Sequence, residues 1–190
     1  MKKILIIDNF DSFTYNLFQQ IQKFYCGRVE VYRNNVLSLE QIDKEKYAAL
    51  VISPGPGRPE NAGISIAAIG FYGEKLPVLG ICLGMQCINE VFGGYTRKCL
   101  FPVHGKATPI LNNGTGLFEN VPKKFKVARY HSLETGGIPD VLKINSQTGE
   151  GVVMSIMHHD KPVFGLQFHP ESFMTEYGDQ LIINFLKYVK

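Results

Sequence analysis

The chain has 190 residues, 45% hydrophobic and 19% charged, with a net charge of +3. That balance suits one globular domain with a sizeable core and excludes a disordered chain. No basic block of the kind that tracks a nucleic-acid backbone occurs, and no apolar run approaches the roughly 20 residues of a spanning helix.

Met1-Lys2-Lys3-Ile4 leads straight into a strand pattern and lacks a small-residue cleavage site, so it does not read as a signal peptide. Ile4 to Ile7 is apolar and β-branched, a first strand. Asp8, Asn9 and Asp11 follow without the spacing of an EF-hand; they read as a turn at the strand end that caps a helix from about Ser12. Thr14 to Phe24 sets Leu17, Phe18, Ile21 and Phe24 on one helical face. Val29 to Tyr32 is a second strand, Leu39 to Ile42 a short helix and Ala48 to Ile52 a third strand. The third strand runs into Ser53-Pro54-Gly55-Pro56-Gly57-Arg58-Pro59, where prolines and glycines make a rigid turn that exposes backbone amides. Ile64 to Phe71 is a helix, Val78 to Ile81 a fourth strand, and a further helix begins at Leu83 and runs through Cys87 to Phe92. About Thr96 to Ile156 reads as short strands and turns, an antiparallel extension, with Asn113-Gly114-Thr115 as one of the turns. His158 and His159 point to opposite faces of a strand and read as surface residues. Val163 to Phe168 is another strand, and Asp179 to Val189 an amphipathic helix. The βαβα rhythm predicts an α/β fold: a mostly parallel open sheet with helices on both faces plus a small antiparallel extension, all in one domain, residues 1–190.

The chemistry concentrates at the ends of these strands. Gly80 and Gly84 flank Cys82 two residues to either side, the spacing of a nucleophile elbow with sulfur in place of a hydroxyl. A sulfur at the apex of that turn, at a helix N-terminus, is lifted clear of the sheet in a setting that favours thiolate. His169 follows a later strand, with Glu171 two residues on. A thiol nucleophile needs a base to take and return its proton, and that base needs a group to aim its ring. The amides of Gly55 to Gly57 and of Leu83 can serve as donors to an oxyanion. The four cysteines, Cys26, Cys82, Cys87 and Cys99, include no C-x-x-C pair, which fits a reduced cytoplasmic protein. Cys87 reads as core and His131 as structural.

Cys82, His169 and Glu171 with the Ser53–Gly57 loop resemble the triad of the class I glutamine amidotransferases. Ile7-Asp8-Asn9-Phe10-Asp11-Ser12-Phe13-Thr14-Tyr15-Asn16, His104-Gly105-Lys106 and Arg129-Tyr130-His131-Ser132-Leu133 narrow the likeness to the glutaminase subunits of chorismate-using synthases, from Ile4 to about Leu186. The resemblance implies the flavodoxin-like fold of that family and a γ-glutamyl thioester on Cys82. It makes His169 the acid and base, oriented by Glu171. Gly55, Pro56 and Gly57 would line the glutamine site, with oxyanion donors from that loop and from Leu83. Gln86 and the backbone of Ser132 and Leu133 would hold the α-amino and α-carboxylate groups. It implies no cofactor or metal in this chain, and a partner: a chorismate-binding synthase subunit, itself using Mg2+, in a heterodimer or heterotetramer. The tryptophan and folate branches both stay open. So do a glutaminase of another pathway, such as guanylate synthesis, and a stand-alone γ-glutamyl hydrolase. One departure stands out: Met85 occupies a position where many members of the subfamily have His.

Overall fold

The computed structural model describes residues 3–42, 47–100 and 102–190; Met1 and Lys2, at the start of the first strand pattern, lie outside it. Strands β1 (Lys3–Asp8), β2 (Val29–Arg33), β3 (Tyr47–Ile52) and β4 (Val78–Ile81) pair in parallel in the order β2-β1-β3-β4. They alternate with helices α1 (Thr14–Phe24), α2 (Ser65–Tyr72) and α3 (Leu83–Val91).

Every β1 side chain from Ile4 to Ile7 is buried, because the sheet is covered on both faces. The pleat sends alternate residues to opposite sides. Ile4 and Ile6 join a core with Leu17 and Ile21 of α1 and with Leu181, Ile182 and Phe185 of α4 (Gly178–Leu186). Leu5 and Ile7 join a second core with Ala68 and Ile69 of α2 and Met85, Cys87 and Ile88 of α3. Met85, the departure from the subfamily pattern, is fully buried; a Cβ on Gly165 would lie 2.8 Å from its Cγ, so it fills space against the sheet.

The predicted antiparallel extension is present but is not a separate layer. β5 (Tyr95–Lys98) and β8 (Leu133–Gly136) pair as an outlying ribbon, and around β8 the chain lays down β6 (Lys106–Asn112), β7 (Lys124–Arg129), β9 (Leu142–Thr148) and β10 (Val153–His158). These continue one nine-stranded sheet through β11 (Val163–Leu166), which is parallel to β4 on one side and antiparallel to β10 on the other. β11 is therefore the seam between the two halves.

Two expectations fail. Leu39 to Ile42 is a pair of turns, with Gln41 N–H donating to Ser38 O at 3.1 Å and Ile42 N–H to Leu39 O at 3.2 Å. Four residues are too few to repay helix nucleation, and the Gln41 side chain takes the Ser38 N–H instead. His158 is buried, not at the surface: its ring packs on Phe92 and its Nδ1 accepts the Asp160 and Lys161 N–H groups, closing the turn after β10. The turn expected at Asp8 to Asp11 forms, with Asp8 Oδ1 accepting from Asp11 N–H and Thr14 Oγ1. The helix it leads into starts at Thr14, without a side-chain cap.

Candidate active site

β4 ends at Ile81, and the φ of 52° at the next residue, Cys82, lies where side chains are disfavoured. The strand turns into α3 within that one residue, and the two backbones must nearly touch. A Cβ on Gly80 would sit 2.4 Å from the Gly84 backbone, and one on Gly84 2.5 Å from Ile52 O; only glycine fits at either place. The Cys82 N–H donates to Leu166 O at 2.7 Å, tying the elbow to the end of β11.

Three residues past β11, His169 Nδ1 meets Glu171 Oε1 at 2.6 Å, with side chains 3% and 0% exposed. With Nδ1 engaged, Nε2 is the nitrogen left to face Cys82, whose thiol is near enough to act on the ring's basicity. Burial alone would lower the basicity of this imidazole. The hydrogen bonds to Cys82 and Glu171, and their negative charge, outweigh burial and hold its pKa well above the ordinary value. The rings of Phe13 and Tyr130 stand edge-on to it, 5.8 and 5.0 Å between centroids, and screen it from water. Thr175 Oγ1 donates to His169 O at 2.6 Å and accepts from Ala128 N–H at 2.9 Å, locking the loop onto β7.

The Pro54–Gly57 turn is held from behind by Asn9. Its backbone N–H donates to Ser53 Oγ at 2.8 Å and its Nδ2 to Ser53 O at 3.0 Å. Its Oδ1 accepts from Asn34 Nδ2 at 2.9 Å and Ser65 Oγ at 2.8 Å. Gly55 is wedged into this cluster: a Cβ there would lie 2.5 Å from Asn9 O and 3.0 Å from Leu83 Cδ2. Leu83 is the first residue of α3, so its N–H has no carbonyl one turn back, and the residue lines the cleft over the sulfur.

A cleft of about 150 Å³ opens over the sulfur. Gly55, Pro56 and Gly57 line it on one side, Cys82, Leu83 and Gln86 beneath, and Ser132 and Leu133 on the other, joined by Tyr130 and His131. His169 and Glu171 lie behind the sulfur, outside this lining. Gln86 Nε2 is directed at Leu133 O and Gln167 Oε1, each at 3.2 Å, so its amide hydrogens are taken and its oxygen is what it can offer a ligand. Such an acceptor suits an ammonium, not a carboxylate. His131 braces the far side: Nδ1 lies 2.9 Å from Leu133 O, and Arg129 Nε donates to Nε2 at 3.0 Å. Burial and the adjacent Arg129 push its pKa down to about 4, so it stays neutral, in keeping with the structural role expected of it. Cys99, 3.4 Å from both His131 Nδ1 and Glu134 Oε2, has its thiol pushed up to about 12 by burial and by Glu134, and is inert as a nucleophile.

The structure thus brings all of the expected site residues to one cleft and its back wall. Sequence reasoning misses two. Asn9 reads there as part of a turn at a strand end near the pocket, with no role in bracing the Ser53–Gly57 turn. Gln167, fully buried, donates from Nε2 to Cys82 Sγ at 3.5 Å. Its position two residues before His169, on the same side of an extended chain, is the available signal. Among the described residues no group of three or more His, Cys, Asp or Glu is placed to hold a metal, and no helix is long and apolar enough to cross a membrane.

A family model described as glutamine amidotransferase class-I matches residues 5–189. The bifunctional protein TrpGD of Thermotoga maritima is 43% identical over 98% of this chain, which spans 32% of that longer protein. Anthranilate synthase component 2 of Cyanophora paradoxa is 44% identical, the match covering 96% of this chain and 97% of that one. Aminodeoxychorismate synthase component 2 of Escherichia coli is 43% identical over 96% and 98%. Among solved structures, a Thermoplasma acidophilum protein described as a GMP synthase subunit superposes with a TM-score of 0.86 over 99% of this chain and 94% of its own, at 26% identity.

Proposed function

The chain belongs to the class-I glutamine amidotransferase family, and from that membership we propose that it is the glutaminase subunit of a chorismate-using synthase. The observation that carries the chemistry is Cys82, raised at the elbow into the cleft, with the Glu171-bound His169 acting on it. The relatives of matching length, named for anthranilate and for aminodeoxychorismate synthases, support the chorismate connection and leave both branches open.

In this reading glutamine enters with its side-chain amide over the sulfur. Its α-ammonium faces the Gln86 oxygen and its α-carboxylate the backbone of Ser132 and Leu133. The Cys82 proton passes to His169 Nε2 and the sulfur attacks the amide carbon. The resulting oxyanion is met by the N–H of Leu83 and by an amide of the Gly55–Gly57 turn. Collapse breaks the C–N bond, and His169 returns the proton to the departing nitrogen as ammonia. Water then attacks the thioester with His169 as base, the C–S bond breaks, and glutamate leaves. Free ammonia in water is mostly ammonium and unreactive, so it needs a sheltered path into a docked synthase subunit. The Ile7–Asn16 and Arg129–Leu133 motifs and the likeness to synthase component 2 proteins favour the subunit reading over a stand-alone hydrolase.

A glutamine-derived affinity reagent should place one label, on Cys82, and excess glutamine should block it. Glutamate release should be slow for the chain alone and rise when the synthase subunit is added. Labelling elsewhere, or equal turnover with and without the partner, rejects this reading.

A further inference from the structure

Gln167 reaches the reacting atom from outside the cleft lining. It is fully buried, just past the end of β11, and its amide has to place both an N–H and a C=O without help from water. The neighbours decide which end faces the sulfur. Leu133 O can only accept, so Gln86 presents Nε2 to it. That same Nε2 lies 3.2 Å from the Gln167 oxygen. Turning the Gln167 amide over would set two NH2 groups against each other. The order of polarity therefore runs from a backbone carbonyl through two amides, and ends in an N–H aimed at Cys82 Sγ. A thiol is a weak acceptor, whereas a donor facing an ionised group makes a bond roughly twice as strong as a neutral pair.

We propose that Gln167 is a catalytic residue: its amide N–H holds the Cys82 sulfur as thiolate and eases the sulfur's departure from the thioester. The proposal rests on the reading of Cys82 as nucleophile given above. As the thiol proton moves to His169, charge builds on Sγ and the Gln167 bond tightens. It slackens when the C–S bond forms. It tightens again when the tetrahedral adduct of water and thioester collapses, the C–S bond breaks and the electron pair returns to sulfur. The same amide chain ends in Gln86, which lines the cleft, so ligand seat and nucleophile share one hydrogen-bonded unit.

The test is the pH dependence of Cys82 alkylation by iodoacetamide, which needs neither glutamine nor a partner. It is followed by mass spectrometry in a Cys26→Ser background, because Cys26 is exposed. In Gln167→Leu the acid limb of the profile should move up by about one pH unit, a roughly tenfold slower reaction at a fixed pH on that limb, with glutamate release reduced in step. Gln167→Glu, nearly the same size, should move it at least as far, since a carboxylate repels the thiolate. A purely space-filling role predicts an unchanged profile in a folded variant, and that result overturns the proposal. Should Gln167→Leu fail to fold, by near-ultraviolet circular dichroism, the Glu variant decides. If that fails too, Gln86→Leu decides: it leaves Gln167 in place but frees its orientation, and no displacement there overturns the proposal. A wild-type Cys82 that gives no glutamine-blocked adduct rejects the nucleophile reading instead, so the two failures are distinguishable.

Discussion

His131 lines the cleft, His169 lies outside its lining, and the two are driven in opposite directions. Burial works against charge in both. At His169 the hydrogen bonds and charges of Cys82 and Glu171 win; at His131 the neighbouring Arg129 adds to burial. The signs follow from linkage. His131, charged when unfolded below about pH 6.5 but neutral in the fold down to about 4, makes the protein lose stability as pH falls through that window, on the order of 3 kcal/mol. His131→Gln should flatten that acid loss in urea unfolding measured between pH 7 and 4, whatever it does to the midpoint at neutral pH. His169, with its pKa raised, contributes stability that is fully present below its unfolded value and is lost as pH rises through the higher folded one. Cys82→Ser removes one of the two partners that raise that pKa, so the alkaline loss should become smaller and end at a lower pH. His169→Asn should reduce glutamate release by about a hundredfold or more, the general acid–base contribution. At this scale the three reacting side chains were legible because their types and flanking glycines announce them. Gln167 and His158 were not, because a buried amide or imidazole is recognised by what packs around it, and those partners come from remote segments.

The elements that carry these residues are shaped by glycines with no room for a methyl group. Gly80→Ala or Gly84→Ala should destabilise by about 1–3 kcal/mol or more and abolish turnover, seen together in the urea midpoint and in glutamate release. The Ser53–Gly57 turn depends on a strut from another strand. Asn9→Ala leaves Ser53, Asn34 and Ser65 short of partners and should cost about 1–3 kcal/mol of stability. If the turn supplies an oxyanion donor, the same variant should lower kcat more than it raises KM for glutamine; the opposite split would place Asn9 in ligand binding. The elbow and the proline-glycine turn were readable from local sequence, since each is built within six residues. Their bracing was not: Asn9 lies 44 residues from Ser53 and 56 from Ser65. Leu39 to Ile42 misled for the converse reason, since an apolar pair at helical spacing says little in so short a run.

For the whole molecule, the decisive fact is that β11 belongs to both kinds of pairing. The parallel half was legible because strand and helix alternate with clear periodicity. The antiparallel half was legible as short strands but not in its order, β10-β9-β6-β7, which is set by distant pairings that no local pattern records. Because one sheet runs through both halves, unfolding in urea should be a single transition. Far-ultraviolet circular dichroism and the exposure of buried Cys82 and Cys87 to a thiol reagent should coincide; an earlier separate step would divide the chain into two units. The seam has a further consequence. β4 meets β11 only after the chain has looped back over 85 residues, and the nucleophile has no imidazole beside it until that contact is made. During synthesis the sulfur is therefore as sluggish as any ordinary thiol, spared from stray electrophiles, and it is armed only when the last part of the polypeptide closes against the fourth strand.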